Sequence, residues 1–299
     1  MDRRTELSDF LRTRRARVSP ADAGIATAGE RRRVPGLRRE ELALLAGVSV
    51  DYYVRLEQGR GGVHPSDSVL GALARALRLD EAEHAHLRRL ARAPLLERPA
   101  GRARPQRVRP EVQRLLDRMA DVPAFVLGRR MNVLAWNELA ARLHVDFGAL
   151  PPRMRNMPRL VFLDDASRQL YPDWEQVARE TVAYLRFEAS AHPDDAELHA
   201  LVGELSTKSP AFGRWWTRHD VREKSHGVKR YRHPLVGDLE LHYEALALPA
   251  DHHQTVVTYT AQPGSPSETA LRMLALQGTI PPPTAAPGRA STALPDGVS

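Results

Sequence analysis

Residues 42–59 read LALLAGVSVDYYVRLEQG, and this stretch constrains the chain more than any other. Ala43 is followed four places later by Gly47, and then by Val48 and Ser49. Two helices crossing on a tight turn need a small residue on the first helix and a turn residue that tolerates positive φ. Ala43 and Gly47 supply them, and Ser49 can cap the second helix. Leu42, Ala46, Val48, Tyr53 and Leu56 then fall at the offsets of a shared core. Val50, Asp51, Val54, Arg55 and Gln58 are left facing outward. The pattern predicts a helix-turn-helix; the alternative is a plain helical hairpin with the same spacing.

Charge favours the first reading. The 299 residues carry a net +7, and residues 1–109 hold 23 Arg, no Lys and 14 acidic residues, a net +9. The remaining 21 basic and 23 acidic residues sum to −2. A coding bias toward Arg explains the choice of Arg but not the asymmetry. A basic module joined to a near-neutral one is the footprint of a polyanion partner, here double-stranded DNA. The chain has no cysteine, which excludes disulfides and thiolate sites and fits a reducing, cytoplasmic setting. The N-terminus lacks the apolar run of a signal peptide, and no stretch of membrane-spanning length occurs, so no membrane partner is expected.

The expected organisation is α+β in two domains. Residues 1–93 carry about five helices, with Ser49, Ser66 and Asp80 as caps. The Pro/Arg-rich residues 94–109 read as a linker. Residues 110–276 mix helices, one of them capped by Asn137, with a hairpin (PAFVLG and MNVLAW) and three antiparallel strands near 227–260. Residues 277–299 are Pro/Ala/Ser/Thr-rich and read as a disordered tail.

LRREELALLAGVSVDYYVRLEQGR resembles the XRE family of phage-repressor-like helix-turn-helix proteins. The resemblance places Val50, Asp51 and Arg55 at base edges, and Arg39, Tyr52, Gln58 and Arg60 at phosphates. Val50 and Asp51 depart from the frequent Gln, Arg or Ser. Asp51 could accept from a cytosine amino group, at an electrostatic cost near phosphates. Arg31, Arg32 and Arg33, in an unusually long loop, either reach the DNA or are solvated. Further along, NMPRLVFLDDASRQLYPDWEQVARETVAYLR, ELSTKSPAFGRWWTRHDVREKSHGVKRYRHPLVGDLEL and VVTYTAQPGSPSETALRMLA resemble the MmyB-like ligand-binding domain of actinobacterial regulators. That resemblance implies a PAS-like fold, a small antiparallel sheet with helices over one face. It also implies an apolar pocket for a fatty-acid-like or other hydrophobic small molecule.

Catalytic and metal chemistry find little support. The 12 histidines include no HExxH, and Ser209, His219 and Asp220 lack a nucleophile elbow. Neither a catalytic residue, a metal nor a cofactor is expected beyond a bound fatty acid or other apolar ligand. Phe125, Trp136, Phe187, Phe212, Trp215, Trp216 and Tyr243 are candidates to line the pocket, although adjacent Trp215 and Trp216 are not expected to face inward together. Lys224, Lys229, Arg230 and Arg232 are either a solvated strand edge or a carboxylate partner. The expected function is a homodimeric DNA-binding regulator that senses a hydrophobic molecule. The rivals are a ligand-binding or enzymatic module with a basic helical anchor, and a protein-interaction adaptor.

Overall fold

The computed structural model describes residues 3–25, 36–59, 64–91, 106–191, 195–222, 225–251 and 253–276. Five helices open the chain: α1 (Arg3–Arg17), α2 (Arg39–Ala46), α3 (Val50–Glu57), α4 (Asp67–Ala76) and α5 (Glu81–Ala91). Their starts are set locally. Ser49 Oγ accepts from Tyr52 N, Ser66 Oγ from Val69 N, and Asp80 Oδ1 from Glu83 N. Gly47 takes φ 66 and ψ 32 at the end of α2, the left-handed geometry that the turn demands. Leu42, Ala43, Ala46, Tyr53 and Leu56 are buried in one cluster with Phe10, Leu11, Leu70 and Leu87, and half-buried Val48 packs on it.

The rest of the chain builds a sheet and its cover. α6 (Pro110–Arg118) precedes β1 (Ala124–Leu127) and β2 (Val133–Trp136). Six helices follow: α7 (Glu138–Leu143), α8 (Met157–Leu163), α9 (Asp165–Leu170), α10 (Trp174–Ala191), α11 (Ala196–Lys208) and α12 (Pro210–Trp216). Then come β3 (His226–His233), β4 (Gly237–Ala247), β5 (Thr255–Thr260) and α13 (Pro266–Leu276). The strands form one antiparallel sheet in the order β2-β1-β5-β4-β3, so the early hairpin docks beside β5. Period-2 alternation sends Tyr231, Leu239, Leu241, Tyr243, Val257 and Tyr259 inward beneath α7–α13. The outer face is not wholly bare, as a one-sided cover would leave it: Val112 and Leu116 of α6 pack there on Val126, Ala135 and Val256.

The two halves share a buried joint. Phe187 of α10 and Val221 belong to the core of the helical half, and the Arg89 guanidinium lies 3.6 Å from the Phe187 ring centre. Phe187 is therefore removed from the sheet-side pocket expected for it, because α10 turns that side chain toward α5. Trp215 and Trp216 are both buried, contrary to expectation. Short α12 is enclosed on two sides: Trp215 packs on Phe162 and Trp174, while Trp216 stacks on Phe212 beneath Arg186. Most of the 94–109 linker and all of the 277–299 tail lie outside the described residues.

Gly47→Val is expected to cost about 1–3 kcal/mol, because a β-branched residue is strained at that φ. Ala43→Leu should cost a similar amount, about 1–3 kcal/mol, by forcing α2 away from its neighbours. Thermal unfolding of the full chain checks both; unchanged midpoints would contradict the crossing.

Candidate DNA-reading surface and ligand cavity

The turn-linked helices α2 and α3 are locked from below by a buried carboxylate. Glu57, 2% exposed, closes α3 on the same stripe as Tyr53. Its oxygens accept from Arg15 Nε of α1 at 2.9 Å, Arg39 Nε of α2 at 2.9 Å and the Tyr53 hydroxyl at 2.6 Å. Burial alone would disfavour its ionisation. The hydrogen bonds from Arg15 and Tyr53, with the nearby positive charges, outweigh this and hold the carboxyl below its ordinary 4.5. Three helices thus meet at one charge, and the sequence reading gave Glu57 no part.

On the opposite side α3 is open to solvent. Val50 is 40% exposed, and Asp51 and Arg55 stand beside it, paired at 3.0 Å one helical turn apart. The Arg55 guanidinium is thus held toward Asp51 on the exposed face of α3. Gln58 is exposed at the end of α3, whereas Tyr52 is half-buried against the helical core. Arg39 is half-exposed and bound to Glu57, so it has a structural task besides any contact with phosphate. Arg60, Arg31, Arg32 and Arg33 lie outside the described residues.

The second site lies between α10 and the inner face of the sheet. A cavity of about 20 Å³ is lined by Met131, Val177, Glu180, Thr181, Tyr184, Arg222, Lys229 and Tyr243. Val177, Glu180, Thr181 and Tyr184 recur at helical spacing on one face of α10. The basic run in β3 is split by the pleat. Lys229 is buried on the inner face, its Nζ 5.7 Å from the Tyr171 ring centre and 5.6 Å from that of Tyr243. Arg230 and Arg232 point outward to Asp173 and Asp238. Lys224 lies outside the described residues.

Of the expected pocket residues, Tyr243 lines this cavity. Phe125 packs on His144, Phe147 and Tyr259 in the core. Trp136 faces an open groove between α6 and α7 instead. Phe212, Trp215 and Trp216 fill the core around Phe162. The Ser209 hydroxyl caps α12, and His219 is buried in the joint between the two halves.

Two family models match the chain. A helix-turn-helix domain matches residues 6–87. The MmyB-like transcription regulator ligand binding domain matches residues 108–274. A search of curated proteins found no match.

Because the folded pKa of Glu57 is lowered, its contribution to stability is full above about pH 4.5 and is lost as pH falls through the folded value. Glu57→Gln should lower stability at neutral pH and flatten its decline in acid. Denaturant midpoints across pH check this; parallel profiles for the two proteins would contradict it.

Proposed function

The chain belongs to the family of transcription regulators with an MmyB-like ligand-binding domain, and on that premise we propose how its two halves recognise their partners. It is a DNA-binding regulator. Residues 1–93 read DNA, with α3 in the major groove. Val50, Asp51 and Arg55 meet base edges; Arg39, Tyr52, Gln58 and Arg60 meet phosphates. The observation that carries this reading is the exposed Asp51–Arg55 face of α3 on a frame locked by Glu57. One such unit covers little DNA, so the operator is a double site bound by a homodimer.

Residues 110–276 take a hydrophobic molecule with an acidic head, of the fatty-acid type. Lys229 supports the head-group assignment, since it is a cation buried on the cavity wall, and Arg222 lines the same wall. Val177, Met131 and the ring of Tyr243 favour an apolar body. At about 20 Å³ the cavity holds no long chain, so such a ligand must part α10 from the sheet. No catalysis is assigned to either half.

Fluorescence anisotropy on duplexes selected by the full chain tests the DNA reading. Affinity should fall steeply with salt, and Arg55→Ala should cost about 1–3 kcal/mol on the selected site alone. Equal affinity for all duplexes, unmoved by Arg55→Ala, would refute it. Thermal shift tests the ligand reading. A fatty acid should stabilise the protein more than the alcohol of equal length, and Lys229→Met should erase the difference. No shift with either ligand would refute it.

A further inference from the structure

The joint between the halves encloses a second cavity of about 20 Å³, walled by Arg3 and Glu6 of α1, His86 and Leu90 of α5, Arg186, Ala189 and Ser190 of α10, and His199 of α11. It is separate from the sheet-side cavity, with which it shares no lining residue. Its polar wall is incompletely bonded. His86 is 1% exposed, and neither ring nitrogen has a hydrogen-bond partner among the described residues. Arg186 is also 1% exposed; it donates to Glu6 and to the Trp216 carbonyl, but its Nε–H meets no acceptor among the described residues. Buried donors left so are costly unless something accepts from them.

We propose that this joint is a binding site for one small anion, a halide or the carboxylate of a short acid, held by the His86 N–H and the Arg186 guanidinium. Charge selects the sign. The Glu6 carboxylate on the wall is already engaged by Arg186 at 2.6 Å, and Glu83 nearby is engaged by Arg14 at 2.8 Å. Burial first, and then the charges of Arg186, Arg89, Arg14 and His219, keep the His86 ring neutral, which marks a positive potential at that point. Glu6 and Asp9 offset part of the charge of Arg186, but at His86 the guanidiniums of Arg186, Arg89 and Arg14 prevail, so an anion is favoured there over a cation. Volume selects the size: the space admits one or two water-sized groups, too few for a phosphate ester. Because α1, α5 and α10 all contribute, a bound anion fastens the DNA-reading half to the ligand-binding half.

The test is thermal unfolding of the full chain at constant ionic strength, with gluconate replaced stepwise by chloride, bromide, acetate or phosphate. Halide or acetate should raise the midpoint saturably, by mass action, and phosphate should not. A response to acetate but not halide identifies the short acid. His86→Leu should abolish the response while the operator still binds. Independently, bromide-soaked crystals of the unaltered protein should place an anomalous peak within hydrogen-bond reach of His86. No anion selectivity together with no bromide peak would leave the cavity to water and overturn the proposal. A response retained in full by His86→Leu would overturn it equally.

Discussion

The Arg186 guanidinium leaves α10 and meets Glu6 of α1 at 2.6 Å, at a point where Arg186 is 1% exposed. A charge taken that far from water is tolerated only when it is paired and hydrogen-bonded. Arg186 meets the condition from several elements at once: it donates to Glu6 and to the Trp216 carbonyl, lies over the Trp216 ring and stands 3.1 Å from His219 Nδ1. Arg14 returns the tie from α1, donating to the His219 carbonyl and pairing with Glu83 of α5. Two buried cations, one from each half, hold the halves in one orientation. Removing either partner would leave a charge stranded in the joint.

The same helices lead from this joint to both candidate surfaces. α10 lines the sheet-side cavity with Val177, Glu180, Thr181 and Tyr184, and lines the joint with Arg186, Ala189 and Ser190. The short segment after α12 does likewise. His219 and Val221 reach into the joint, while Arg222 lines the cavity and donates to Glu180. On the other side, α1 carries Glu6 to the joint and Arg15 to Glu57, where α2 and α3 are locked. A molecule that parts α10 from the sheet would therefore displace Arg186, and with it the helix that braces the turn-linked pair α2 and α3. Such a ligand alters operator affinity only so far as it prefers one arrangement of the joint.

What the sequence made legible was local. Gly47 at its positive φ, and Ser49, Ser66, Asp80 and Asn137 as helix caps, follow from a few neighbouring residues and came out as expected. The alternation in β3 and β4 was equally readable; applied to the basic run, it would have separated inward Lys229 from outward Arg230 and Arg232. Glu57 left a fainter signal, a carboxylate on the buried stripe of Tyr53 and Leu56. Its arginine partners lie 18 and 42 residues away, so their identity needed the fold. The joint was invisible for the same reason. Phe187 and His219 look like members of a self-contained second domain until α10 is seen to pack on α5.

α1 carries both Glu6, bonded to Arg186 in the joint, and Arg15, bonded to Glu57 beneath α3, so loosening the joint should loosen α3. Hydrogen exchange of the full chain, with and without Arg186→Met, measures this directly, because exchange reports local opening element by element. Faster exchange is expected not only in α10 and α1 but also in the amides of α3. Acceleration confined to α10 and α12, with α3 protected as before, would contradict it.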